Sequence, residues 1–540
     1  MTEIGFSLGH SLLTLSMPLC VGLLLSAAME LLLTPKSRMI WQRPLASNLL
    51  HLGTWLIVFA AELVLFRRPW FAMGNVLAIQ LLIVLVNNAK YHAMREPFLV
   101  HDFEYFTDAI RHPRLYLPFF GIANALLALC AFIGVLVAGV MLEPSVFSSA
   151  QASVGSYIVS WGILLAVGVA VTVWGYKVRV RRVLLQPEHD YCALGQIGFL
   201  WHYGILHYTQ PNPVEENQWR ELLPQDAAAE KLPDVVVVQS ESFFDARAEY
   251  PVLKPSILAE FDQICAHSFS WGALTVPAWG ANTIRTESAF LTGKPAHVLG
   301  VHQFSPYRHF MKQPQYTVAH ALKALGYRTV CIHPYPASFY LRDKLYPRMG
   351  FDEFIDIQSF TEADKVGQYV GDVALADKVK SMLSKRSHDS GTSTPVFVFV
   401  ITMENHGPLH LEKASQADQV AFYEGEQPFG CDDLTVYARH LRNADTMAAM
   451  LTECLNDQPN GGVLGWYGDH VPIMAKVYQT LGAPKGETRY FIWNDHPTDG
   501  IKEASSTSAS SKDISELPTL LFQALSVRYK TRLAAEQESV

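Results

Sequence analysis

Charge is scarce in this chain of 540 residues: Asp, Glu, Lys and Arg make up 17% of it, against 50% for the hydrophobic types. That balance excludes intrinsic disorder and argues against an enzyme bathed wholly in water. A surplus of basic residues is missing too. The formal net charge is −8, so nothing electrostatic favours nucleic acid as a partner. Cysteine is sparse: seven residues lie scattered between Cys20 and Cys454, with no CxxC pair. They are too few and too dispersed for a disulfide framework and lack the spacing of a structural zinc site. No basic stretch precedes the first apolar run, so the pattern of a cleaved signal peptide is absent and that run reads as a retained anchor. Internal repeats are absent as well.

What the chain does have is long apolar sequence. Runs near 11–33, 48–66, 70–88, 115–142 and 154–175 each approach the roughly 20 residues that span a bilayer. The last three hold no charged residue; the first contains Glu30 and the second Glu62. An intramembrane carboxylate is by default a functional hint. Both, however, sit near the C-terminal ends of their helices, where snorkelling to the interface is the simpler expectation. Those ends lie on opposite faces in antiparallel neighbours, which disfavours a Glu30–Glu62 relay. A basic stretch, Lys177 to Arg182, follows the fifth run, then an aromatic-rich segment from Gly195 to Tyr208 that reads as an interfacial helix. Pro211, Pro213 and a polar run to Glu230 read as a linker. The expected organisation is a five-helix transmembrane domain over 1–176 and a juxtamembrane helix and linker over 177–230.

From Leu232 the pattern becomes that of an alternating α/β domain, assigned to 231–530 with a frayed tail at 531–540. Val235–Gln239, Thr329–His333, Val396–Met403, Val463–Tyr467 and Tyr490–Trp493 are short β-branched or aromatic runs suited to a mostly parallel sheet buried on both faces. Gly500–Asp513, rich in Ser and Thr, reads as an exposed loop.

In such a sheet, ligands gather at the carboxyl ends of the strands. Four polar groups fall there: Glu241; the segment Trp279 to Gly293 with Thr283 and Glu287; Asn405-His406; and Asp469-His470. Taken singly, a Glu after a strand is usually a neighbour of a helix cap, and a Thr after Asn a turn residue. Together, two carboxylates, a hydroxyl and an imidazole make a hard-metal site. Oxygen ligands favour magnesium or manganese, and one His shifts the preference toward manganese or zinc. Such an ion would acidify the Thr283 alcohol into a nucleophile and neutralise charge on a phosphoryl oxygen.

These motifs resemble those of the lipoteichoic acid synthase-like phosphoglycerol transferases, within the alkaline phosphatase/sulfatase superfamily. Thr283 and Glu287, followed by Leu291-Thr292-Gly293, are similar to the family's Gly-Gly-x-Thr-x-x-x-Glu-Phe pattern and its Leu-Thr-Gly, with Ala281 and Ser288 as departures. Arg285 stands where sulfatases carry Pro, which disfavours sulfate-ester hydrolysis. Gln239 to Phe243 resembles Leu-Glu-Ser-Phe, and Tyr467 to His470 matches Tyr-Gly-Asp-His. The resemblance implies Thr283 as nucleophile, Glu241, Thr283, Asp469 and His470 as metal ligands, and His333, Tyr340, Arg342 and His406 as substrate contacts. Arg95 to Leu99 and Pro518 to Leu521 echo further family segments, so the likeness spans nearly the whole chain.

The implied fold is a five-helix transmembrane bundle followed by an α/β alkaline phosphatase/sulfatase-like domain. The implied reaction moves glycerol phosphate from phosphatidylglycerol to a glycan or polyglycerol-phosphate acceptor through a phosphoglyceryl-threonine intermediate. It calls for one divalent metal, manganese first and magnesium or zinc otherwise, and for membrane lipid as donor, with no nucleic acid. A phosphoethanolamine transferase, a hydrolase and a non-catalytic headgroup-binding receptor are the rival readings. Scattered cysteines weigh against the first, and an intact nucleophile and metal set against the last.

The family places its catalytic domain outside the bacterial cytoplasmic (inner) membrane, as a multi-pass protein. The basic residues point the other way. With a cytoplasmic N-terminus, the cytoplasmic loops would hold only Arg67 and Arg68. The opposite side would hold eleven Lys and Arg residues, in clusters at 36–43, 90–114 and 177–182. An external domain is compatible with this bias if those cations gather anionic lipid headgroups.

Overall fold

Long helices account for the apolar runs. The computed structural model describes residues 2–105, 122–148, 154–178, 183–209, 219, 221–222, 229–389, 394–495 and 510–538. Two compact units, Met1–Gln210 and Pro211–Val540, divide the chain.

In the first unit, α1 (Thr2–Met29), α2 (Leu45–Phe66), α3 (Pro69–Met94), α4 (Ile122–Leu142) and α5 (Val154–Lys177) follow in order. Among the described residues, four stretches are long and apolar enough to cross a membrane: Leu13–Leu32, Leu45–Phe66, Pro69–Met94 and Val154–Lys177. The helix α4 falls on the expected run at 115–142, whose first seven residues lie outside the described residues. Small residues bring α2 and α5 together: a Cβ on Gly53 would lie 2.2 Å from Thr172 Oγ1 and 2.9 Å from Gly168 O.

Neither carboxylate snorkels. Glu30 is buried, ion-paired to Arg43, with His51 Nδ1 3.6 Å away. His51 Nε2 lies 2.8 Å from Ser26 Oγ, which donates at 2.6 Å to Gln80 Oε1. Glu62, also buried, accepts from Asn75 Nδ2 at 2.7 Å. Polar partners from neighbouring helices replace water for both groups, so they join helices rather than reach for the interface. Beyond α5, helices α6 (Pro187–Leu194) and α7 (Gln196–Thr209) cover the aromatic segment. Phe199 and Tyr203 are buried in α7, while Trp201 and Tyr208 are exposed. The basic stretch lies mostly, and the linker largely, outside the described residues.

The second unit is built on an eight-stranded sheet. Its strands are β1 (Asp234–Ser240), β2 (Ser270–Thr275), β3 (Arg328–Ile332), β4 (Glu353–Ile355), β7 (Val396–Ile401), β8 (Gly462–Gly468), β9 (Thr488–Asn494) and β10 (Lys512–Asp513), with a small hairpin, β5 (Lys365–Val366) and β6 (Tyr369–Val370), outside it. The order is β10-β2-β9-β8-β1-β7-β3-β4. Strand β9 is antiparallel to both β8 and β2, and the other pairs are parallel. All its companions therefore point one way. Val235 to Val238 and Phe397 to Val400 are fully buried because helices cover both faces, which is why these strands read as unbroken apolar runs. One face rests on α10 (Asp432–Asn456) and α9 (Asp372–Asp389); α11 (Leu517–Glu538) closes the domain. The expected frayed tail is instead helix to Glu538. The Ser/Thr-rich segment lies outside the described residues up to 509; at its end Lys512 and Asp513 pair with β2 rather than forming loop.

Candidate active site

Because the strands share a direction, their carboxyl ends bring distant residues to one edge. Glu241 follows β1, the Thr283 segment follows β2, His333 follows β3, Thr402 to His406 follow β7, and Asp469-His470 follow β8.

Glu241, Asp469 and His470 converge, with one ligand atom of each within 4.8 Å of the others and all three residues buried. His470 Nε2 lies 3.6 Å from Glu241 Oε1 and 3.3 Å from Asp469 Oδ2. The ring is set by its other nitrogen, which faces Val471 O at 3.1 Å; a carbonyl only accepts, so Nδ1 carries a proton and Nε2 is the nitrogen turned to the cluster. Ser242 organises the carboxylates: its N–H donates to Asp469 Oδ1 at 2.8 Å and its hydroxyl to Glu241 Oε1 at 2.8 Å. Asp469 Oδ2 is buried with no hydrogen-bond partner. Burial first, then the neighbouring Asp469 charge, pushes the Glu241 carboxyl up to about 8, against the opposing pull of His470 and Ser242. Two crowded carboxylates, one orphaned oxygen and an imidazole lone pair fit a divalent cation.

The Thr283 segment is fastened to this cluster's turn. Gly280 N–H donates to Val471 O at 3.0 Å, and Thr286 hydroxyl donates to Asp469 O at 2.7 Å. Thr283, half-buried, opens helix α8 (Thr283–Thr292) between those two anchors, one turn before Thr286 on the same face. Backbone strain marks the same places. In this unit the non-glycine residues with left-handed φ are Ser242 (53°), Asn282 (67°), Tyr340 (55°) and Leu341 (60°), among the described residues. Ser242, Asn282 and Leu341 adjoin Glu241, Thr283 and Arg342, and Tyr340 is itself one of the residues singled out above. Left-handed backbone costs about 1–3 kcal/mol per residue and persists where surrounding structure enforces it.

The remaining sequence-derived residues group beside the cluster. His333 is buried, its Nδ1–H shared with Ile401 O at 3.2 Å. Burial, then the Arg342 charge, holds its pKa well below the ordinary histidine value. His406 donates Nδ1–H to Gly407 O at 2.8 Å, and burial lowers its pKa as well. Both imidazoles are thus neutral, with Nε2 as an acceptor. Tyr340 lies under the Arg342 guanidinium, 5.4 Å from ring centroid to carbon. Arg342 is not an open fork. Its Nε and Nη2 donate to the two oxygens of buried Glu287 at 3.1 and 2.7 Å, leaving Nη1 as its buried nitrogen without a partner.

Several residues here escaped the sequence reading. Tyr307 and Tyr346 hydroxyls both donate to Glu287 Oε1, and Gln239 Nε2 donates to Oε2 at 3.3 Å. Burial alone would raise the Glu287 carboxyl, but Arg342 and these hydroxyls bring it below the usual carboxylate range. Thr402 accepts from Glu241 N at 2.9 Å. Glu404 accepts from Asp372 N at 2.7 Å, and burial followed by the Glu404 charge holds Asp372 well above its usual range. His440 on α10 bridges Asn405 Oδ1 and Glu412 Oε2, each at 3.2 Å. Ser242 and Gln239 lie inside the Gln239 to Phe243 motif and Thr402 and Glu404 just before Asn405-His406, whereas Tyr307, Tyr346, Asp372 and His440 come from remote segments.

Comparisons place this geometry among known proteins. The chain is 24% identical over 454 residues to the capsular polysaccharide biosynthesis protein RkpI of Rhizobium meliloti, covering 81% of this chain and 79% of that one. It is 26% identical over 153 residues to the lipoteichoic acid synthase of Staphylococcus aureus, covering 27% and 22%. Among solved structures, the integral membrane protein lipooligosaccharide phosphoethanolamine transferase A of Neisseria meningitidis matches with a TM-score of 0.52 at 10% identity, over 88% of this chain and 95% of that one. That last likeness speaks to fold alone. The sulfatase family model matches residues 233–520, just over half the chain, and takes in every strand-end group described above. On that match the chain belongs to the sulfatase family.

Proposed function

We propose that this protein is a multi-pass phosphoglycerol transferase of the bacterial cytoplasmic membrane, moving glycerol phosphate from phosphatidylglycerol to a glycan or polyglycerol-phosphate acceptor. The observation that carries the reading is the buried Glu241–Asp469–His470 cluster, with its orphaned oxygen, hydrogen-bonded to the segment that bears Thr283. The domain assignment that goes with it is a five-helix membrane domain over 1–176, a juxtamembrane part over 177–230, a catalytic domain over 231–530 and a tail over 531–540.

Glu241, Thr283, Asp469 and His470 would hold one divalent ion, manganese by its donor set, which supplies charge neutralisation and a more acidic threonine alcohol when bound. Thr283 Oγ attacks the phosphorus; the new O–P bond replaces the bond to diacylglycerol, which leaves with the threonine's proton. An acceptor hydroxyl then attacks, its oxygen bonding to phosphorus as the bond to Thr283 breaks, and its proton restores the threonine hydroxyl. Neutral His333 and His406 suit the proton transfers, because each keeps an acceptor nitrogen. Arg342 Nη1 supplies a charge-assisted bond to a phosphoryl oxygen, and Tyr340 fixes the guanidinium plane. Two in-line displacements retain configuration at phosphorus.

The capsular-polysaccharide relative supports a glycan acceptor. The test is Thr283→Ala in purified protein with manganese and labelled phosphatidylglycerol. Diacylglycerol release and labelled protein should both vanish; undiminished turnover would eliminate the covalent route. A phosphoethanolamine transferase is compatible with the same fold and is the alternative to separate. Labelled phosphatidylethanolamine offered in parallel separates the two. We place the catalytic domain outside the membrane, and a cytoplasm-only reporter fused after Val540 that proves active would reverse this.

A further inference from the structure

Two carboxylates of similar burial serve the site differently, and Glu287 is the one the transfer mechanism leaves unused. It is 0% exposed, receives both Nε and Nη2 of Arg342, and is further held by Tyr307, Tyr346 and Gln239. The guanidinium edge that matches a carboxylate also matches two phosphate oxygens. Here that edge is already spent, and Arg342 Nη1 remains the nitrogen without a protein partner among the described residues. The pair is close to the reacting centre: Glu287 lies one helical turn after Thr283 on α8, and Gln239, two residues before Glu241, donates to Glu287 Oε2 at 3.3 Å.

We infer that Glu287 sets the charge preference of the site, making it a binder of singly charged phosphodiesters rather than doubly charged phosphomonoesters. The inference rests on the phosphoryl-transfer reading above and names its substrate class. Its logic is electrostatic. Glu287 cancels the Arg342 charge, so the site meets a phosphoryl group with one N–H edge and no unbalanced cation from this pair. A diester needs one oxygen recognised and one charge accommodated; a monoester brings a second charge that nothing in the Arg342–Glu287 pair offsets. Glu287 touches Arg342 rather than substrate, so it is a positioning and specificity residue. A purely structural Glu287 would affect both anion classes alike.

The experiment measures dissociation constants for two probes, dimethyl phosphate and inorganic phosphate, on the full-length, detergent-solubilised protein with manganese, at about pH 8, where inorganic phosphate is close to doubly charged. Glu287→Gln should shift the affinity ratio toward inorganic phosphate by about tenfold, the scale of one unit charge acting across several ångströms of protein. Tyr307→Phe keeps the charge of Glu287 and should leave the ratio where it is. A ratio unmoved in Glu287→Gln, or moved toward the diester, overturns the inference. If that variant does not fold, the unaltered protein still decides at the same pH: it should bind dimethyl phosphate at least as tightly as inorganic phosphate, and tighter binding of inorganic phosphate overturns the inference. Wild-type protein that turns over no phosphodiester fails the underlying reading and takes this inference with it. Turnover with an unmoved ratio fails the inference alone.

Discussion

Glu241 and Glu287 are both buried at the carboxyl edge of the same sheet, yet the carboxylates around one keep an oxygen without a donor while both oxygens of the other are supplied. Around Glu241, a second carboxylate stands close by, Asp469 Oδ2 has no donor, and the Glu241 carboxyl is pushed up to about 8. Around Glu287, a guanidinium, two phenols and an amide supply donors, and the acid is held ionised. A buried charge without compensation costs several kcal/mol, so native proteins rarely leave one. The uncompensated cluster therefore has room for a cation the chain does not supply, while the compensated one holds its own carboxylate and leaves only Arg342 Nη1 open.

Breaking the first cluster should cost function most. Asp469→Asn removes a ligand and should weaken manganese binding by about 10²-fold or more, with turnover falling in step, as metal titration and diacylglycerol release would show. Breaking the second should cost stability as well as anion preference. Glu287→Ala strands the Arg342 guanidinium and should destabilise the domain by about 3–5 kcal/mol in denaturant unfolding; a loss near zero would mean the pair is not formed.

The contrast also has a pH signature. Glu241 has a folded value near 8 against an ordinary 4.5, so without metal the folded chain keeps a proton that the unfolded chain releases. Unfolding free energy should then fall as pH rises from about 4.5 to about 8. Manganese, which requires the ionised carboxylate, should abolish that part of the decline, and a chelator should restore it. Glu287, with its value lowered, contributes the other way: its stabilisation is present above the ordinary carboxylate value and lost as pH drops through the lower folded one. The smallest effect belongs to the link between nucleophile and cluster. Thr286→Val deletes the 2.7 Å bond to Asp469 O and should cost about 1 kcal/mol of stability, with a fall in kcat at unchanged manganese affinity.

Much of this was legible in the sequence where local pattern and tertiary environment agree. The strands Val235–Gln239 and Val463–Tyr467 stood out because burial on both faces forces apolar runs. Strand β2, Ser-Trp-Gly-Ala-Leu-Thr, did not, because it is only half-buried and its register is set by β9 rather than by its own composition. Glu241, Asp469 and His470 were readable from motif spacing. The binding of Arg342 by Glu287 was not, since 55 residues separate them and only the fold decides that they meet. The Glu30–Arg43 pair likewise replaces the expected snorkelling to the interface with burial. It also bears on the topology conflict: Arg43 and Lys90, two of the eleven basic residues, are engaged in ion pairs within their own unit and are not free to anchor lipid.

The two hydrogen bonds from Gly280 and Thr286 to the Val471 and Asp469 carbonyls carry a mechanical implication. They tie the segment that bears Thr283 to the turn that bears Asp469 and His470, so under the proposed mechanism the nucleophile and the metal site would move together. Tyr340, Leu341 and the turn bearing His406 stand outside that pair of bonds. The first two of those residues already hold backbone angles that a small hinge would relax.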